Sequence, residues 1–227
     1  MSGIEIRDLA RTVGGPSGSA VLRGVSFRVT PGLCVGLQGA TGSGKTTLLR
    51  LIAGLDRPDR GEIRLEGRVV NDARTFVPPG QRRIGFVFQA LGLWPHLTVE
   101  AHLDYVLAST EWSAGERERR KMEAIASFHL QGLERRQPSE LSGGEKRLLA
   151  LARSLAGDVR FLLLDEPFTG LDGHLKERVM EALGAWLEKR KLTTLLVSHD
   201  VGDLTRLSRG TVHLREGQVV EKAGVGM

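Results

Sequence analysis

Gly39-Ala40-Thr41-Gly42-Ser43-Gly44-Lys45-Thr46 is the stretch that decides the fold. It matches the spacing G-x-x-x-x-G-K-[ST] at every fixed position. An apolar run, Leu33-Cys34-Val35-Gly36-Leu37, leads into it. A helical pattern of Leu48, Leu49, Leu51, Ile52 and Leu55 follows it. Strand, glycine-rich turn and helix start form the context in which this spacing cradles phosphate. Small residues let the loop's N–H groups close around phosphate oxygens. The helix that begins here adds the positive end of its dipole. Lys45 can reach the β- and γ-phosphates as a point charge, and Thr46 offers a hydroxyl to Mg²⁺. Thr47 completes the candidate nucleotide-binding set of residues 39–47.

A metal beside phosphates calls for a carboxylate from a second element. Phe161-Leu162-Leu163-Leu164-Asp165-Glu166 supplies an apolar strand that ends in two. Adjacent strand residues point in different directions, so the two carboxylates can take separate roles. Asp165 is read as the Mg²⁺ residue and Glu166 as the general base for the attacking water. Further strand signals stand at Ile4 to Ile6, Val25 to Val29, Ile84 to Phe88, Thr194 to Val197 and Thr211 to Leu214. Ile63 to Leu65 and Val69-Val70 flank Glu66-Gly67 and predict a hairpin. A helix is expected from about His174 to Arg190. Residues 97–156 read as mostly helical, with breaks at Ser113-Ala114-Gly115 and Gln137-Pro138-Ser139. Strands alternating with helices predict an α/β fold with a mainly parallel sheet, into which the helical block is inserted.

Composition narrows the class. The chain has 227 residues, 41% hydrophobic and 26% charged, which excludes a wholly disordered or collagen-like protein. Its longest apolar runs are a few residues, so no bilayer-spanning segment is expected. Met1 to Asp8 carries early acidic residues and no apolar run, so no secretory signal is expected either. Cys34 is the one cysteine and cannot build a cysteine metal cluster. Lys and Arg total 32 against 27 Asp and Glu, a net charge of +5. The charges are interspersed, and Glu116-Arg117-Glu118-Arg119-Arg120-Lys121 reads as one solvated helix face. No direct nucleic-acid partner is expected.

Leu141-Ser142-Gly143-Gly144-Glu145, followed by Leu148 to Leu155, resembles the signature of the ATP-binding cassette (ABC) transporter nucleotide-binding subunits. The resemblance runs from about Ile4 to Val220. It implies a P-loop NTPase (RecA-like) core with an antiparallel β-subdomain, over about 1–90 and 157–227. It implies an inserted helical subdomain over about 91–156, all one nucleotide-binding domain. Gln89 resembles the Q-loop glutamine, at Mg²⁺ or water. Asp172, in Thr169-Gly170-Leu171-Asp172, resembles the D-loop residue at the dimer contact. His199, in Ser198-His199-Asp200, resembles the H-loop residue at the γ-phosphate. The resemblance implies ATP and Mg²⁺ as ligands, and Ser142, Gly143 and Gly144 docking on nucleotide held by a second copy. It also implies separate transmembrane permease subunits, room for a solute-binding protein, and a cytoplasmic place on the inner face of the plasma membrane.

Val77 to Gln89, continuing through Trp94 to Val99, is similar to the importer ATPases for molybdate, sulfate, maltose and polyamines. Those relatives often carry a C-terminal regulatory domain, which this chain is expected to lack. Trp94 is either a docking anchor or a local core residue. Two positions depart from the family pattern. No aromatic residue lies in 10–20 to stack on adenine, and Val13 stands near that place. Leu148 stands where many relatives have Arg. Three other readings stay open at this point. One is the cassette of an export or lipoprotein-extraction complex. Another is a non-transport ABC ATPase in nucleic-acid maintenance. The third, a small P-loop kinase, leaves residues 141–145 and His199 unexplained.

Overall fold

In the computed structural model, residues 3–14 and 18–224 are described. The chain builds two sheets. Four antiparallel strands, β1 (Ile4–Val13), β2 (Ser19–Val29), β4 (Arg60–Leu65) and β5 (Arg68–Asn71), lie in the order β2-β1-β4-β5. Six strands form the second sheet in the order β10-β9-β3-β8-β7-β6. They are β3 (Cys34–Gln38), β6 (Ile84–Val87), β7 (Phe161–Asp165), β8 (Thr193–Val197), β9 (Thr211–Arg215) and β10 (Gln218–Ala223). Every pairing here is parallel except β9 with β10. The expected α/β class, antiparallel sheet and inserted helical block are all present.

Among the described residues six α-helices complete the fold: α1 (Lys45–Ala53), α2 (Val99–Ala108), α3 (Ala114–Ser127), α4 (Gly143–Ala156), α5 (Gly173–Arg190) and α6 (Val201–Leu207). Strand β7 explains how the layers meet. It lies between β6 and β8, and all five residues are buried, so it reads as an unbroken apolar run. Phe161 and Leu163 join one core cluster with α1 and the antiparallel sheet. Leu162 and Leu164 join the other, with α2 to α5. Strand β6 approaches α4 so closely at Gly85 that a Cβ there would lie 2.2 Å from the Ser154 carbonyl oxygen.

The β4–β5 and β9–β10 hairpins each turn on a Glu-Gly pair with left-handed backbone at each residue: Glu66-Gly67 (φ 49° and 82°) and Glu216-Gly217 (φ 50° and 76°). This is the two-residue turn whose twist matches the strands. The sequence reading found the first and not the second. The charged stretch in α3 differs from its reading as a solvated face. Glu116 pairs with Arg119 and Arg120 on the surface. Lys121 turns inward, 6% exposed, onto Glu100, Asp104 and Glu118, tying α3 to α2.

Arg82 ties the two layers together and is 3% exposed. Its Nη1 donates to the carbonyls of Leu51 and Ile52 at the end of α1. Its Nε and Nη2 donate to Val77 and Val70. No carboxylate faces it among its hydrogen-bond partners, and burial pushes its pKa down to about 10. The C-terminal carbonyls of a helix are a favourable place for such a cation. Two residues further on, β6 begins the path to Gln89. Arg82→Met removes four donated hydrogen bonds at once and is expected to lower the unfolding free energy by roughly 2 kcal/mol or more. Urea denaturation checks this; an unchanged midpoint would show that the guanidinium contributes nothing net.

Candidate functional site

The loop of residues 39–44 joins β3 to α1. Gly39 has φ 148°, and a Cβ there would lie 2.2 Å from the Leu214 carbonyl oxygen and 2.6 Å from Ser43 Oγ. Only glycine fits against β9 at this point. Helix α1 begins at Lys45 with Gly44 as its N-cap, in left-handed conformation and with no side-chain cap. Its first N–H groups therefore have no side-chain acceptor, the arrangement that makes a helix start an anion site. Ser43 Oγ is buried and lacks a partner. Lys45 Nζ donates to the Gly39 and Ala40 carbonyls at 2.7 and 2.9 Å. Burial lowers the Lys45 pKa, while Glu166 and Asp165 oppose that shift.

Strand β7 delivers the carboxylates. Thr46 Oγ1 donates to Asp165 Oδ2 at 2.8 Å, bridging α1 and β7. Asp165 is 3% exposed, and burial raises its pKa against the pull of Thr46, Lys45 and His199. Glu166 turns away from the strand with φ 54°. Its N–H donates to the Val197 carbonyl at 3.1 Å, and its own carbonyl accepts from Arg147 Nη1 at 2.8 Å. Thr169 Oγ1 donates to Glu166 Oε2 at 3.3 Å. Glu166 Oε1 is buried without a hydrogen bond, 3.3 Å from His199 Nε2. One carboxylate oxygen is thus held while the other is left free.

These groups share one cleft of about 310 Å³. Thr41, Gly42, Gly44, Lys45, Thr46, Thr47, Gln89, Asp165, Glu166 and His199 line it, so most of the expected residues converge. Gly39, Ala40 and Ser43 shape the loop behind it. Besides these three, four expected residues lie outside its lining. Ser142 N-caps α4 in a capping box with Glu145, each accepting from the other's N–H at 3.2 and 2.7 Å. Gly143 and Gly144 begin that helix. Asp172 N-caps α5, accepting from the Leu175 N–H at 2.9 Å.

Four residues were missed. Thr169 and Arg147 fix Glu166, and Val21 and Val197 line the cleft. Val13, the last residue of β1, is 51% exposed and is not among the lining residues of this cleft. Residues 15–17 of the same stretch lie outside the described ones. Leu148 is buried in the core, 2% exposed, and the arginine one position earlier reaches Glu166. Trp94 is half-buried against His102 and Tyr105, with the Arg153 guanidinium 4.9 Å over its ring. It also lines a second groove of about 540 Å³ together with Phe86, Phe88 and Tyr105.

A phosphate loop, a strand ending in paired carboxylates and a serine-glycine helix start in one chain define a nucleotide-binding cassette. The family model described as ABC transporter matches residues 22–169, and the chain belongs to that family. The chain is 37% identical over 222 residues to the Fe(3+) ions import ATP-binding protein FbpC of Pseudomonas fluorescens, covering 97% of this chain and 61% of that protein. It is 38% identical over 197 residues to the probable sulfate/thiosulfate import ATP-binding protein CysA of Chlorella vulgaris, covering 87% of this chain and 82% of that one. The chain thus spans less than two thirds of its FbpC relative. A solved structure titled "Dimeric structure of a post-hydrolysis state of the ATP-binding cassette MJ0796 bound to ADP and Pi" aligns with TM-score 0.86 and 29% identity. That alignment covers 97% of this chain and 98% of that one.

The packing at Gly39 has a direct consequence. Gly39→Ala is expected to weaken ATP binding about tenfold or more, since roughly 1–3 kcal/mol of strain falls on the loop. Titration with a fluorescent ATP analogue checks this. Wild-type affinity in the variant would show that the loop re-forms without the glycine.

Proposed function

We propose that the chain binds and hydrolyses ATP as the energising subunit of an ABC importer, working as a pair of copies on separate membrane subunits. One observation carries the reading. Lys45, Thr46, Gln89, Asp165, Glu166 and His199 converge in one cleft, while Ser142-Gly143-Gly144 stand at another surface of the same copy. A second copy facing head to tail would bring its α4 start to the nucleotide. The dimeric structure of the aligned cassette supports that pairing.

The residues fit Mg²⁺. Thr46 and Asp165 present a hydroxyl and a carboxylate oxygen 2.8 Å apart, with Gln89 on the same cleft. Among the described residues no group of three or more His, Cys, Asp or Glu is placed to hold a metal ion by itself. That suits an ion held by one or two protein groups together with phosphate oxygens and water. When bound, Mg²⁺ would neutralise charge on the phosphates. The loop N–H groups and Lys45 would hold the phosphates in register. Glu166 would take the proton of the attacking water on Oε1, the oxygen left free, while Thr169 holds Oε2. His199 stands beside that oxygen to orient the γ-phosphate.

Import is favoured by the relatives, which are import ATP-binding proteins for Fe(3+) ions and for sulfate/thiosulfate. Among the described residues no helix is long and apolar enough to cross a membrane. In this reading separate permease subunits span the membrane and the cassette sits on their cytoplasmic side. The groove at Trp94 is the proposed seat for a permease segment.

Glu166→Gln is expected to cut hydrolysis by about 10²-fold or more and to leave ATP-dependent dimers that persist in sedimentation. Undiminished hydrolysis in that variant would overturn the role of Glu166. Absence of ATP binding by the unaltered chain would overturn the reading itself. Thr46→Val is expected to remove the Mg²⁺ dependence of ATP affinity while metal-free binding changes little; titrations with and without EDTA check it. Recovery of a tagged chain with an export-type permease, and with no importer permease, would overturn the direction.

A further inference from the structure

His199 sits in the turn between β8 and α6 with its side chain 61% exposed. Among the described residues its imidazole makes no hydrogen bond, so the backbone of the turn alone sets its 3.3 Å approach to Glu166. That backbone is held by a ring of polar contacts. Ser198 Oγ donates to Asp203 Oδ2 at 2.8 Å and accepts from the Asp200 N–H at 3.1 Å. Lys176 Nζ reaches Asp203 Oδ1 at 2.6 Å and Asp200 Oδ2 at 2.5 Å, which closes the ring. Asp200 Oδ1 accepts from the Gly202 N–H at 2.8 Å and so begins α6. Ser198 is 7% exposed and Asp203 3%, so water cannot substitute for these partners at no cost.

The lysine comes from a different element. Lys176 lies in the first turn of α5, and its N–H donates to the Asp172 carbonyl at 2.8 Å. One side chain therefore joins the turn that carries Asp172 to the turn that carries His199. Burial pulls the Lys176 pKa down, but its bonds to Asp200 and Asp203 outweigh this and raise it, so the ammonium stays charged in the working range.

We propose that Lys176 and Asp203 are positioning residues for His199, which they hold beside Glu166 and couple to the Asp172 turn. The proposal rests on the reading of this cleft as an ATPase site. Neither residue lines the cleft, so their loss acts through the imidazole and leaves the phosphate contacts in place. A displaced catalytic contact of this kind is felt in turnover before it is felt in binding.

The test is a mutant cycle read by single-turnover ATP hydrolysis, with ATP affinity and thermal melting measured beside it. Lys176→Met is expected to lower the hydrolysis rate about tenfold with ATP affinity within about twofold. Lys176→Arg keeps the charge and is expected to recover most of the rate. In a His199→Ala background, Lys176→Met should cause no further loss. Asp203→Asn, which keeps an acceptor for Ser198, should follow Lys176→Met in both backgrounds. A Lys176→Met loss that multiplies with that of His199→Ala, or one that tracks loss of folded protein, would overturn the proposal. The imidazole ¹H–¹³C signals of His199, observed without nucleotide, add a readout independent of turnover. They should shift in Lys176→Met while those of His96 do not, and an unmoved His199 signal would overturn the proposal. If the unaltered chain hydrolyses no ATP, the functional reading fails, and the His199 signals still decide the positioning claim.

Discussion

Helix α1 begins without a side-chain cap, and the rest of the site is arranged around that fact. The first turn of any helix leaves N–H groups unbonded inside the helix. Ser142, Asp172 and Thr98 answer that need at α4, α5 and α2 with a side-chain oxygen. Gly44 does not. The glycine loop wraps this open helix end, Lys45 curls back over it, and Thr46 ties it to Asp165 on the neighbouring β7. An anion is the partner such an end favours, by hydrogen bonding and by the helix dipole.

The second constraint is the fixing of Glu166. Its backbone is held on two sides, by Val197 and Arg147, and one side-chain oxygen is held by Thr169. Arg147 belongs to α4, the helix that starts with Ser142-Gly143-Gly144. Helix α5, which starts at Asp172, holds the His199 turn through Lys176. The two surfaces expected to meet a second copy are therefore each about one helix turn from a contact that shapes the cleft.

Much of this was legible in residue order. The phosphate loop announces itself because its chemistry fixes the spacing of glycine, lysine and threonine. Strand β7 announces itself because burial on both faces demands an unbroken apolar run. His199 became readable through its place after such a strand. Other features left no local mark. Arg147 and Glu166 meet across 19 positions, and nothing in either neighbourhood names the other. The β9–β10 hairpin turns on Glu216-Gly217 just as the β4–β5 hairpin turns on Glu66-Gly67. Yet β10 is an edge strand with mostly exposed residues, so it lacks the apolar alternation that marks a strand. Helix α6 has seven residues, too few for a periodic face to show. Lys121 looked like its charged neighbours, and only the packing of α3 on α2 turns it inward.

The central claim is that each working site takes its phosphate loop from one copy and its Ser142-Gly143-Gly144 helix start from another. Complementation tests it most directly. Copies carrying Lys45→Ala lose the loop and copies carrying Ser142→Arg lose the helix start. Each alone should fail to hydrolyse ATP. Mixed together they should regain hydrolysis, because a mixed pair contains one site with both halves intact. A mixture as inactive as its parents, with mixed pairs shown to form, would contradict the shared site. Hydrolysis by the Ser142→Arg copy alone would contradict it as well.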